Sequence, residues 1–265
     1  MKRESFRHLE RLRVRWAEVD AQQVVFNGHY LLYVDVAVAG WWRALALPYP
    51  AAVLAMGGDL YVRKATLEYE VAARHDERLA VGIRCARIGR SSMQFQAAVF
   101  RDNERLVQAE LVYVFADPAS MRSQPVPTPL RAVVEAFEAG EPMLQVVTGD
   151  WAEQGAAVQS VRAATAGDDD PTALHAVATN RVGVPISCAR LQLEGGSARI
   201  DRRHTLAALR GAGYGRAVLD ALLGAARDRG CETAEVDGVP VSLQTALLPR
   251  MLPRGAGPGT KLTTR

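Results

Sequence analysis

The chain has 265 residues, 49% of them hydrophobic and 23% charged, which suits one large domain or two smaller ones with a real core. Its 32 basic and 29 acidic residues leave a formal charge of +3 with no block of like charge, which argues against a nucleic-acid surface. Cys85, Cys188 and Cys231 are scattered, with no CxxC or Cys/His ligand spacing, so neither a disulfide framework nor a metal site is expected. Reduced thiols, a charged start without the apolar core of a signal peptide, and no apolar run of membrane length point to a cytoplasmic protein without a membrane partner.

In chain order, residues 12–19 read as a strand running into a turn at Asp20. Residues 28–47 are apolar on nearly every side, including Tyr30, Leu32, Val34, Val36, Trp41 and Trp42; such a helix has to be wrapped by something. Pro48 and Pro50 end it. The wrapper follows as four period-two segments at 67–71, 79–85, 93–99 and 106–115, the last two joined by a turn at Asp102-Asn103. Asp117-Pro118, Pro125, Pro127 and Pro129 mark the end of this half, residues 130–139 have helical spacing, and Glu141-Pro142 forms the seam.

The second half alternates differently. Residues 174–179 and 184–193 read as strands about a turn near Arg181-Gly183, and residues 198–206 as a third. A glycine-started helix over 210–229 and a strand over 231–236 follow, then a proline- and glycine-rich tail.

Asp20 lies seven residues before Asn27, where the long helix begins. Hydrolysis of an acyl thioester needs an attacking group and a place for the developing oxyanion. A carboxylate can attack directly or deprotonate a water, and the unpaired N–H groups of a first helical turn can hold the oxygen. Taken alone, Asp20 reads first as a turn-capping residue, by a wide margin. It is not alone: Asp20, Val24-Val25, Asn27, Tyr30 and the aromatic helix, with 69–79 and the turn Arg87-Ile88-Gly89-Arg90-Ser91-Ser92, resemble the 4-hydroxybenzoyl-CoA thioesterase-like hotdog family over residues 8–140.

The resemblance implies a catalytic carboxylate at Asp20 and a carbonyl-polarising N–H at Asn27, with Gly28 beside it. It also implies coenzyme A phosphates near Arg87, Arg90, Ser91 and Ser92, commonly across a subunit boundary, and hence a homodimer or homotetramer. Two positions depart from the family pattern: Gln23 replaces the usual glycine, and Asn27 stands where some members have His or Tyr.

Arg210-Gly211-Ala212-Gly213-Tyr214-Gly215, after a strand and opening a helix, resembles the acetyl-CoA pyrophosphate loop of the GCN5-related N-acetyltransferase (GNAT) family. Arg210, Gly211, Gly213 and Gly215 are then the phosphate-binding residues. Pro249-Arg250-Met251 stands near where that family has a tyrosine acid, and 255–265 shows no closing strand pair, so a degenerate domain is expected.

The fold class is therefore α+β: a hotdog domain over 1–140, its antiparallel sheet wrapped around one long helix, then a mixed α/β GNAT-like domain over 141–265. The expected function is acyl-CoA thioester hydrolysis without a tightly bound cofactor or metal, coenzyme A thioester being the substrate and acetyl-CoA a ligand of the second half. The alternatives are an acetyl-CoA-dependent N-acetyltransferase with a structural hotdog half, and a non-catalytic acyl-CoA sensor.

Overall fold

In the computed structural model, which describes residues 1–243, the period-two segments of the first half pair into one sheet; residues 107–115 bury every second side chain, whereas residues 79–83 are buried without a break and 59–69 hold no buried residue. β1 (His8–Arg13) leads through a 3-10 turn at Trp16–Glu18 to α1 (Asn27–Ala44) and the short α2 (Ala51–Leu54). Then come β2 (Asp59–Tyr69), β3 (Arg78–Ile88), β4 (Ser92–Arg101), β5 (Glu104–Ala116) and α3 (Thr128–Glu138). The strand order is β1-β3-β4-β5-β2, antiparallel throughout. The first strand spans His8–Arg13 rather than 12–19, sharing only Leu12 and Arg13 with the expected one, because the chain turns into the 3-10 segment from Trp16. β2 starts eight residues before the alternation at Leu67, since it is an edge strand whose residues 62–66 are all exposed.

α1 packs Tyr33, Val34, Ala37, Trp41 and Trp42 into the core. Trp41 meets Phe95 edge-on at 5.0 Å between ring centroids, and Trp42 stacks on Tyr49 at 4.9 Å. Gly40 lets the helix approach β1: a Cβ there would lie 2.6 Å from the buried His8 ring and closer still to the Glu10 carboxylate. The wrapping is one-sided, however. Leu32 and Val36, four apart on one face, remain 54% and 49% exposed, because five strands curl over only one side of the helix.

The described residues divide into two compact units, 1–141 and 142–243. The second comprises β6 (Leu144–Gly149), α4 (Trp151–Val161), β7 (Leu174–Asn180), β8 (Pro185–Glu194), β9 (Ser197–Thr205), α5 (Tyr214–Asp228), β10 (Thr233–Val236) and β11 (Val239–Ser242). Its order, β11-β10-β9-β8-β7-β6, is antiparallel except for β9 and β10, which α5 joins as a crossover. α5 buries Val218, Leu219, Leu222, Leu223 and Ala226 at helical spacing. The residues from Gln244 onward, including Pro249-Arg250-Met251 and 255–265, lie outside the described residues.

The aspartate run at 168–170 is more than a polar connector. Asp168 is 1% exposed and enclosed by guanidiniums. Arg162 binds it through two hydrogen bonds of 2.9 and 3.0 Å, Arg202 adds one of 2.9 Å, and the Thr165 N–H another of 2.7 Å. Arg190, also buried, is held by Asp201 at 2.9 and 2.8 Å. Burial works against the Asp168 charge, but the Arg162 and Thr165 hydrogen bonds and the Arg162 and Arg202 charges win, holding the carboxyl far below its usual range. A depressed carboxyl pKa stabilises the fold above the unfolded value, near 4, and that contribution fades as pH falls below it. Asp168→Ala is expected to cost about 3–5 kcal/mol at neutral pH, by stranding buried arginines. Hydrogen exchange in β7–β9 peptides checks this; wild-type protection in the variant would refute it.

Candidate active site

The site is built on a tight hairpin between β1 and α1. Val19 and Val25 bridge, the Asp20 N–H donates to the Val24 carbonyl at 2.9 Å, and the Phe26 N–H donates to the Glu18 carbonyl at 2.9 Å. The second arm is fixed from the other side, since Val25 N–H donates to the Ala73 carbonyl at 2.9 Å and Val24 bridges to Arg74. Asp20 thus sits at the mouth of the turn, half-buried. Its Oδ1 accepts the Gln22 N–H at 2.8 Å, which orients the carboxylate as an Asx turn does. Among the described residues Oδ2 has no partner.

α1 starts at the end of the same hairpin. Its cap, Phe26, supplies no side-chain hydrogen bond, and Asn27 and Gly28 are exposed. The N–H groups at such a helix start lack intrahelical partners and carry the positive end of the helix dipole. Tyr69 holds the start from the outside, its hydroxyl donating to the Asn27 carbonyl at 3.2 Å. The ribbon separates the Asp20 backbone from Asn27 by three residues of extended chain, roughly 10 Å. His29 packs T-shaped against Phe26 at the helix end, and among the described residues no group of His, Cys, Asp or Glu could hold a metal ion. Trp41 and Trp42 are core residues further along the helix.

Glu18 does not face Asp20. It is 4% exposed, its carboxylate accepting the Arg15 backbone N–H at 2.7 Å, the Arg15 Nε–H at 2.7 Å and the Tyr33 hydroxyl at 2.8 Å. Burial opposes its charge, yet these donors outweigh it and leave the carboxyl below its usual range. Burial, together with the hydrogen bond to this carboxylate, pushes the Tyr33 hydroxyl well up. Periodicity does not reveal this, because residues 16–18 form a 3-10 turn and strand alternation does not apply there.

The turn carrying Arg90, Ser91 and Ser92 is braced on both sides. The Val126 N–H donates to the Arg90 carbonyl, Phe115 N–H to the Ser91 carbonyl, and Arg131 to the carbonyls of Ile88 and Gly89. Arg87 and Arg90 are exposed, their guanidiniums without a partner among the described residues. Within one chain this turn is not beside Asp20. The Asp20 hairpin abuts residues 73–74, before β3 begins, and the turn follows the far end of β3, roughly 33 Å of strand away.

In the second unit, β9 and β10 pair only over 197–200 with 233–236, so β9 runs on unaccompanied by β10 from Asp201. A bulge at 202–203 turns Arg202, with φ +53°, toward Asp168. After β9, Arg210 donates through Nε to the Thr205 carbonyl at 3.2 Å, Gly211 and Gly213 adopt φ of +83° and +91°, and α5 begins without a side-chain cap. Gly215 packs against the Thr205 hydroxyl. Arg210, Gly211, Gly213 and Gly215 therefore lie together at one helix start, at the end of a parallel strand, where phosphate-binding loops form.

Comparison with known proteins finds a similarity for each unit. Residues 22–108 match the model of the thioesterase superfamily, and residues 136–245 that of the acetyltransferase (GNAT) family. The protein named acyl-CoA thioester hydrolase YbgC, from Escherichia coli and from Shigella flexneri, is 29% identical over 128 residues, covering 48% of this chain and 92% of the relative. Among solved structures, a thioesterase from Thermus thermophilus crystallised with coenzyme A and Zn shares 23% identity at a TM-score of 0.46, covering 51% of this chain and 97% of that one. A 1,4-dihydroxy-2-naphthoyl-CoA thioesterase from Synechocystis shares 16% identity at a TM-score of 0.46, covering 49% and 97%.

Gln23, the departure from glycine in the hairpin, keeps a left-handed conformation with φ +63° and donates its N–H to the Asp20 carbonyl at 3.0 Å. That conformation costs a side-chain-bearing residue about 1–2 kcal/mol, partly offset by the greater freedom glycine loses on folding. Gln23→Gly is expected to raise stability by up to about 1 kcal/mol, and Gln23→Val to lower it, because β-branching resists positive φ. Thermal melts of both variants decide this, and unchanged midpoints in both would contradict it.

Proposed function

We propose that this chain, which joins a thioesterase-superfamily domain to a GNAT-family domain, hydrolyses an acyl-CoA thioester at the first of them. The observation that supports this most is the junction at which the oriented Asp20 carboxylate and the uncapped start of α1 share one hairpin. The thioester carbonyl oxygen binds the N–H groups of Asn27 and Gly28. Asp20 then acts in one of two ways. As nucleophile, its free oxygen adds to the carbonyl carbon, the oxyanion collapses, coenzyme A leaves as thiolate, and water cleaves the resulting anhydride. As base, it takes a proton from water while the hydroxyl adds, and the thiolate leaves carrying that proton. In both cases charge develops on the oxygen facing the helix start, where a preorganised donor contributes about 3–4 kcal/mol.

The exposed Arg87 and Arg90 with Ser91 and Ser92 suit the coenzyme A phosphates of a site in a second copy, since their own Asp20 lies at the other end of β3. A homodimer or tetramer that covers the edge strand β2 and the Leu32 and Val36 face meets this requirement. The three free, buried cysteines suit a cytoplasmic setting. Among the described residues no helix is long and apolar enough to cross a membrane.

Release of free thiol from a panel of acyl-CoA thioesters tests the reading. Asp20→Asn is expected to lower kcat by at least about 100-fold, the range of a lost acid–base or nucleophilic group. Equal rates for the variant and the wild type would overturn the assignment.

A second reading concerns the α5 start, where Arg210 and the left-handed glycines expose backbone toward an anion. In this reading the second domain binds acetyl-CoA through its pyrophosphate. Calorimetric titration of the full chain is expected to show saturable binding, weakened about tenfold or more by Arg210→Ala, the range for a hydrogen bond to a charged group. Absence of saturable heat from the wild type, after allowing for turnover at the first site with Asp20→Asn, would count against it.

A further inference from the structure

Beneath the Asp20 hairpin lies a buried carboxylate that the proposed hydrolysis does not use. Glu18 makes four links at once. Its carboxylate holds Arg15 by backbone and side chain, it accepts the Tyr33 hydroxyl from two turns into α1, and its own carbonyl receives the N–H of Phe26, the residue that caps α1. Tyr33 is buried and braced edge-on by Tyr30, whose hydroxyl in turn accepts the Ala73 N–H at 2.8 Å. Ala73 is also the residue whose carbonyl pins Val25. The hairpin is thereby fixed to the body of α1 along one face through Glu18 and along the other through Ala73.

The consequence is geometric. Asp20 and the N–H groups of Asn27 and Gly28 belong to different arms of the hairpin–helix junction. Their separation is set by how the ribbon is seated on α1, and catalytic geometry loses rate steeply on displacements of about 1 Å. The carboxylate of Glu18 is two residues before Asp20, and Tyr33 is six after Asn27, so this contact joins the arm that carries the attacking group to the helix that carries the oxyanion donors. A buried ion with three donors has no equally good alternative partner, so it specifies one seating of the hairpin rather than adding much net stability.

We infer that Glu18 and Tyr33 are positioning residues for the thioester-cleaving site, holding Asp20 in register with the start of α1. This rests on the reading of Asp20 as the attacking group or base. Neither residue touches substrate, and the signature is therefore a loss of kcat with binding preserved.

The test uses the full chain and the acyl-CoA thioester it cleaves fastest, below the melting onset of every variant. Tyr33→Phe removes one hydroxyl and leaves Glu18 its Arg15 partners, so the chain still folds. It is expected to lower kcat about tenfold with KM within twofold, and Glu18→Gln to lower it further. In an Asp20→Asn background either substitution is expected to add less than about twofold, since there is no longer an attacking group to misplace. Wild-type kcat in folded Tyr33→Phe and Glu18→Gln, with Asp20→Asn inactive, would overturn the positioning role and leave the site assignment standing. Equal turnover in the wild type and Asp20→Asn would instead remove the site assignment. A full multiplicative loss in the Asp20→Asn background would mark Glu18 and Tyr33 as acting independently of Asp20, and would likewise overturn the inference.

Discussion

The junction at Glu18 constrains everything built around it. A helix that begins at Phe26 with no side-chain cap forgoes roughly 1 kcal/mol of local stabilisation that Ser, Asp or Asn would bring there. An uncapped start is useful only when it stays open and fixed, and those demands conflict, because unsupported helix ends fray. The structure meets both by anchoring away from the opening. The Glu18 carbonyl takes the Phe26 N–H, its carboxylate takes Tyr33, and Tyr69 holds the Asn27 carbonyl. Every one of these bonds uses groups other than the Asn27 and Gly28 N–H donors.

The same economy shapes the sheet. α1 is apolar on almost all sides, but the five strands of its own unit cover one of them. Leu32 and Val36 are left outside, as is the edge of β2. An edge strand of 11 residues is a template for pairing, which Arg63 and Lys64 and the register shift between Val62 and Lys64 restrain without removing. The coenzyme A-contacting turn proposed at Arg90 is meanwhile too far along β3 to serve its own Asp20. The second copy proposed above would cover the open edge and the uncovered helix face and would bring the Arg90 turn to an Asp20 other than its own.

What can be read from the chain follows from how locally each feature is encoded. Residues 107–115 of β5 are legible because they alternate against one buried face, and α1 because residues 28–47 are apolar on nearly every side and Pro48 ends them. The first part of β2 is hidden, since an edge strand exposed on both faces has no alternation. β6 and α4 escape periodicity, although Asp150, three residues before Glu153, is an N-cap signal, and Asp150 does accept the Glu153 N–H at 3.0 Å. Asp168 is illegible for a different reason. Its partners Arg190 and Arg202 are 22 and 34 residues away, brought together by β8 and by a bulge in β9, and no spacing rule covers that. Gln23 shows the converse: a residue that breaks the family pattern retains the conformation that pattern serves.

Two helix starts in this chain carry proposed roles, and the residues in front of each separate the two. At α1 the cap is Phe26, with Tyr69 alongside, so approach to the Asn27 and Gly28 donors is flanked by rings and suits one flat carbonyl oxygen. At α5 the cap is Gly213, preceded by a second left-handed glycine and by Arg210, so bare backbone and a cation meet whatever arrives. A pyrophosphate, two tetrahedral groups with one negative charge each, needs that clearance and that charge, whereas a carbonyl becomes anionic only in the transition state and needs donors held still. In the proposed roles, the α5 start would work by being open. The α1 start would work only with Asp20 held opposite it, and that places the Glu18 anchor, rather than the helix alone, at the centre of the proposed chemistry.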